Sequence, residues 1–168
     1  MVRIHFAILS NDLGIVNNQI RLDSYTYYYN KQSIYAPIVH VHLFTKEGLV
    51  VLFSQDSRKL GPISGNVEPG ESFETAGCRE VYEETGLEIY DLIPTNHFFF
   101  TVSSKGKKIL GRTCFAILPE SFSPSAFKFN EEILGHISLS KADALSLLIQ
   151  KGFPEAASGF RYILDQGY

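Results

Sequence analysis

Apolar and polar residues alternate along much of this chain, and the places where the period changes mark its elements. Residues Ile34 to Phe44 alternate as a strand, Lys46-Glu47-Gly48 turns the chain, and Leu49 to Phe53 returns as the second arm of a hairpin. A longer hairpin is predicted from Ile93 to Val102 and Ile109 to Leu118, joined by the basic turn Lys105-Gly106-Lys107-Lys108, and with it the sheet is expected to be complete. Between the hairpins the period lengthens. Ser72 is a predicted N-cap and Gly86 suits the residue past the last turn, so a helix is expected over Phe73 to Thr85. Ser140 and Asp143 open a second helix that ends near Gly152, and Pro154 begins a third whose Phe160, Ile163 and Leu164 serve packing. Nearer the start, Arg3 to Leu9 reads as a short strand, Asn11 to Asn18 is rich in turn formers, and Ser24 to Asn30 reads as an extended segment. In that segment Tyr25, Tyr27 and Tyr29 share one side, where they either stack on a nucleobase or simply favour the strand. The order is strands, one helix, more strands, then helices, which is an α+β chain with a mixed sheet covered by helices. No repeat or linker divides it, so residues 1–168 form a single domain with 1–33 as an N-terminal extension packed on it.

The first helix carries unusual chemistry. At about 100° per residue, Phe73, Ala76, Gly77, Glu80, Val81, Glu83 and Glu84 share one side, while Thr75, Cys78, Arg79 and Tyr82 lie elsewhere. An ordinary surface helix would turn its carboxylates away from Phe73 and Ala76. Three like charges spaced i, i+3 and i+4 repel, more so when partly buried, and a divalent cation removes the difficulty. Magnesium prefers oxygen ligands, keeps several waters, and is held by a few carboxylates together with substrate phosphates. The bland alternative, a solvated acidic helix paired with nearby lysines and arginines, does not account for the fixed glycines and the Arg-Glu step around it.

From Gly65 to Leu87 the chain reads GNVEPGESFETAGCREVYEETGL. Gly65, Glu71, Arg79, Glu80, Glu83, Glu84 and Gly86 fill every fixed position of the Nudix box, which this stretch resembles. The resemblance implies an α/β/α sandwich whose box forms a loop, helix and loop at one end of the sheet. It implies a pyrophosphohydrolase that cleaves a diphosphate linkage in a nucleoside diphosphate derivative by water attack on phosphorus, releasing a monophosphate. Glu80, Glu83 and Glu84 would bind Mg²⁺ or Mn²⁺, with the Gly65 carbonyl as a further ligand, and Arg79 would orient the glutamates. Glu83 is the first choice for the base, and a later acidic residue is the second, with Glu132 preferred to Glu131. One departure stands out: Ile63-Ser64 occupies the place of a Pro-Gly common before the first box glycine, which bears on the substrate loop rather than on the ligands.

Composition narrows the remainder. With 45% hydrophobic residues and a net charge of −3, the chain has a core to bury and no broad field for nucleic acid, so phosphate must be attracted locally. Arg58, Lys59, Lys107, Lys108 and Arg112 are candidates for that, and Phe98 to Phe100, Asn96 and the tyrosines for choosing the rest of a nucleotide-type substrate. Two cysteines, Cys78 and Cys114, make a disulfide framework improbable, and the first residues lack the apolar core of an export signal. No run reaches membrane-span length, so a cytoplasmic protein without a membrane partner is expected. A homodimer is an expectation from the family alone. His40 and His42 share one strand face, read as a polar sheet face rather than half of a zinc site. Two other functions are consistent with the scaffold: a nucleotide sensor that does not cleave, and an isoprenoid diphosphate isomerase. The intact box glutamates argue against both.

Overall fold

The structure is a computed structural model that describes residues 15–16, 19–22, 25–28, 37–55, 58–102, 106 and 108–168. The expected strand at Arg3 to Leu9, together with Tyr29, Ile34, Lys105 and Lys107, lies outside them. Three short strands, β1 (Ile15–Val16), β2 (Gln19–Leu22) and β3 (Tyr25–Tyr28), pair in order as an antiparallel sheet of their own. Only β3 was expected from the sequence.

The main sheet is built from β4 (Ile38–Thr45), β5 (Gly48–Ser54), β6 (Leu60–Gly61), β7 (Ile63–Asn66), β8 (Ile93–Val102), β9 (Lys108–Ile117) and β10 (Ile133–Leu139). Its main path runs β10-β5-β4-β9-β8, with β6 on β5 and β7 on β4. The β4–β9 pair is parallel and the other pairs antiparallel, so the sheet is mixed. Strand β10 corrects the expectation that the sheet ends at Leu118: ILGHISL pairs with β5 along Leu49 to Ser54. One edge of β4 is taken by β9, but the opposite edge is divided. Leu43 to Thr45 pair with β5, whereas Ile38 to Val41 pair with β7. Strands β5 and β7 therefore part company midway along β4, and a cleft opens between them.

Strict alternation decides what each face meets. Val39, Val41 and Leu43, with Val50 and Leu52, pack beneath Phe73, Ala76 and Val81 of α1 (Phe73–Thr85). Phe44, Leu49, Val51 and Phe115 meet Ala144 and Leu148 of α2 (Lys141–Lys151) and Ala156, Phe160 and Ile163 of α3 (Pro154–Asp165). Each of the larger side chains here, Val, Leu, Ile or Phe, contributes about 1.5–3 kcal/mol when fully buried. The result is helix, sheet, helices in three layers. It also corrects the reading of His40 and His42: their face is covered by α3, leaving them 6% and 1% exposed, with His42 stacked 5.7 Å from Phe160. His97 ties the layers together, its Nδ1 2.9 Å from Thr113 Oγ1 and its Nε2 3.0 Å from Ser158 Oγ on α3.

Gly48 closes the β4–β5 turn at φ 124°, and a Cβ there would run into the Leu139 carbonyl of β10. Gly48→Ala should therefore cost about 2–3 kcal/mol, read from urea unfolding, because neither the backbone angle nor the facing carbonyl yields cheaply.

Candidate functional site

The site grows from a well-capped helix. Ser72 accepts from the Thr75 N–H at 3.1 Å, and Gly86 ends α1 at φ 68°, its N–H donating to the Tyr82 carbonyl at 2.8 Å. Between these stops the helix lies against β7, and the Gly65 position decides how closely. A Cβ on Gly65 would overlap the Glu80 carboxylate, so only glycine lets that group rest against the strand backbone.

Arg79 organises the acids. Its Nε and Nη2 each lie 3.0 Å from the two oxygens of Glu71, a bidentate pair, while Nη1 reaches Glu80 at 2.7 Å and Glu83 at 3.1 Å. Nη2 also donates to the Asn66 carbonyl at 2.8 Å, fixing the guanidinium to the end of β7. These bonds hold the Glu71 carboxyl below its usual range. Glu80 is pushed up, chiefly by burial, although Arg79 pulls the other way. Glu84 turns inward: it is 7% exposed and takes a hydrogen bond from the Ser64 N–H at 3.3 Å. Burial, reinforced by the charges of Glu80, Glu132 and Glu83, pushes its carboxyl up to about 8. Glu83 differs from the helical-wheel reading, for its side chain is 50% exposed at the rim of the helix face. A rim carboxylate is accessible to water.

The cleft between β5 and β7 brings the second acidic segment to this helix. Its cavity, about 220 Å³, is lined by Ser64 and Glu84 on one side and by Lys59, Glu132, Ile133 and Phe153 on the others. The Glu132 carbonyl accepts from the Gln55 N–H at 2.8 Å, which anchors the Glu131–Glu132 turn at the mouth of β10. Lys59 stands 4.5 Å over the Phe153 ring. Arg58 is exposed, at φ 51°, and does not line the cavity. Phe98 lies on the α1 side of the sheet but does not line the cavity, standing edge-on to Phe73 at 6.3 Å, while its neighbour Phe99 faces the α3 side, 4.5 Å from His40. Arg112, expected among phosphate contacts, is 2% exposed beneath α1, donating to the Thr95 carbonyl at 2.9 Å and to Glu74 at 3.2 Å. It is a buried structural cation, and Lys108 stands alone among the described residues of the basic turn as an exposed lysine.

Among the described residues, no three His, Cys, Asp or Glu side chains form a ready-made metal cage. Magnesium does not need one, since waters and substrate phosphates complete its shell. The donor set fits such an ion: carboxylate oxygens crowded around one guanidinium, a carboxyl buried against Ser64, and a glycine backbone left open beside Glu80. Among the described residues no soft ligand lines this cleft, and both cysteines are free thiols elsewhere.

Comparison with known proteins places this arrangement. The model of the NUDIX domain matches residues 34–132. No curated protein sequence matches the chain closely enough to count as a relative. Among solved structures, the fold is similar to the E. coli dihydroneopterin triphosphate pyrophosphohydrolase, with a TM-score of 0.67 at 17% identity over 80% of this chain and 100% of that one. It is also similar to a C. elegans Ap4A hydrolase, at 0.64 and 19% over 80% and 100%. A third is the NUDIX domain of Shewanella oneidensis NrtR complexed with ADP ribose, at 0.60 and 15% over 81% and 94%. With the box glutamates gathered by Arg79 at the end of a three-layer sandwich and the family model spanning more than half of its length, the chain belongs to the Nudix family of hydrolases.

Proposed function

We propose that this chain is a divalent-metal-dependent pyrophosphohydrolase acting on a nucleoside diphosphate derivative. The observation that supports the reading is that Arg79 draws Glu80 and Glu83 together, with Glu80 resting against Gly65, while Glu84 of the same helix lines a cleft together with Lys59 and Glu132. Glu80, Glu84 and the Gly65 carbonyl would hold Mg²⁺ or Mn²⁺, with Glu83 at the solvent rim. When bound, the ion neutralises charge on the diphosphate oxygens and lowers the pKa of a water. Glu83 takes the proton from the attacking water, a role that its exposure at the rim suits, and Glu132 is the alternate base across the cleft. Arg79 is a positioning residue, since three of its nitrogens are committed to carboxylates and a backbone carbonyl. Lys59 attracts substrate phosphate, whereas Arg58 and Phe98 would reach it only from outside the cavity.

Related folds act on or bind dihydroneopterin triphosphate, Ap4A and ADP ribose, and all three contain a diphosphate. A panel of these and of nucleoside triphosphates, run with Mg²⁺ or Mn²⁺ in ¹⁸O-water, should release products in which one phosphate carries the label. Glu83→Gln should lower kcat by about 10²-fold or more on whichever substrate turns over. A variant as fast as the parent would remove Glu83 from the chemistry. With an isoprenoid diphosphate added to the panel, its recovery as an intact diphosphate with a shifted double bond would favour isomerisation instead.

A further inference from the structure

The cleft shares Pro62, Ser64 and Phe153 with an adjacent second cavity of about 180 Å³ on the α3 side of the sheet. Either cavity alone is smaller than a typical ligand site of roughly 300–1,000 Å³, and together they enter that range. The second cavity is not simply apolar. Phe99 and Phe153 give aromatic walls, and His40, Thr101 and Glu155 place polar groups among them.

His40 is the unusual member. It is 6% exposed, its Nδ1 is fully buried, and no hydrogen bond reaches its ring from the described residues. What a ligand in this cavity can meet is the small part of the ring that stays exposed at the wall. Burial lowers its pKa to about 3, so the ring is neutral at physiological pH, with one nitrogen as donor and the other as acceptor. His42, two residues on, has both ring nitrogens buried without a partner among the described residues, but it is closed in against Phe160 and lines neither cavity. Glu155, in the first turn of α3, is half-buried at the cavity wall and makes no hydrogen bond or ion pair among the described residues. An ionised carboxylate only accepts, and it accepts best from two parallel N–H groups.

We propose that His40 and Glu155 select the base of the substrate, and that the base is one with two adjacent N–H donors on its edge: the 2-amino-4-oxo-pyrimidine edge shared by guanine and pterins. Glu155 takes both donors, the aromatic walls take the ring faces, and the His40 N–H serves a remaining ring acceptor. Adenine and cytosine place a ring acceptor beside their amino group, and uracil flanks its single N–H with carbonyls, so each sets a lone pair against the carboxylate. This inference deepens the hydrolase reading and rests on it for the phosphate end of the ligand.

The test is calorimetric binding of guanosine, adenosine and neopterin monophosphates to the full chain in Mg²⁺, beside kinetics on the matching triphosphates. At least one 2-amino-4-oxo ligand should bind about tenfold or more tightly than adenosine monophosphate, in line with the discrimination of a bidentate pair. Whichever of the two binds better names the source. Glu155→Gln should bring the ratio to within about twofold and raise KM with little change in kcat, at unaltered thermal stability. Equal or tighter binding of the adenine ligand, or a preference that survives Glu155→Gln, overturns the proposal. Selective binding without turnover of any triphosphate, Ap4A or ADP ribose supports the base site while sinking the hydrolase reading, and turnover without selectivity does the reverse.

Discussion

Glu84→Gln should lower kcat on the order of 10³-fold and, in the same protein freed of metal, raise the melting temperature. The activity loss follows from weakening the hold on the cation that would neutralise phosphate charge in the transition state. The gain in stability follows from burial. Glu84 is 7% exposed and its carboxyl is pushed up to about 8 from a usual 4.5, so the metal-free fold disfavours the ionised form. For a carboxyl whose folded pKa is raised, stability is full below the unfolded value and falls as pH rises from about 4.5 towards about 8. Glutamine keeps an oxygen for the Ser64 N–H and has no charge to desolvate. At pH 7.5 in chelator the variant should gain about 2 kcal/mol, or about 4–8 °C, and the gain should vanish below pH 4.5. Scanning calorimetry across that range checks the sign. Equal melting temperatures at pH 7.5 would mean that Glu84 is already solvated or paired without metal.

Phe160→Ala should be the most damaging substitution for the fold, costing about 3–5 kcal/mol in urea unfolding. Phe160 is fully buried and is the side chain through which α3 grips the sheet, with ring centroids 5.8 Å from Phe44 and 5.7 Å from His42. Truncation would open a void between layers and leave His42, already without a hydrogen-bond partner among the described residues, beside it. Phe160→Leu, which keeps most of the volume, should cost far less. A loss below about 1 kcal/mol for the alanine variant would show that the α3 layer contributes little to the core.

The parts of the fold that were legible share one property: neighbours within a few residues determine them. Ser72 and Gly86 bound α1 at Phe73 and Thr85 because an N-cap hydroxyl and a left-handed glycine act on their own helix ends. The β4–β5 and β8–β9 hairpins were legible from alternation and a turn, and Ser140 with Asp143 marked the start of α2. Strand β10 escaped because Gly135, His136 and Ser138 interrupt its apolar pattern, and a bulge between Ile133 and Gly135 breaks its register. It is an edge strand, whose residues meet a partner on one side only.

The sequence by itself determined the helix, its caps and the set of carboxylates and glycine that a hard cation requires, since all of these lie within one local stretch of backbone. The tertiary structure alone decided that α3 covers His40 and His42, that Arg112 is buried against Glu74, 38 residues distant, and that Glu132 and Phe153 meet Glu84 across a cleft. Alternation tells which residues share a face of a strand, but what covers that face is set by elements far away in the chain. The divided edge of β4, where β5 and β7 separate, is such a long-range outcome, and the cleft exists because of it.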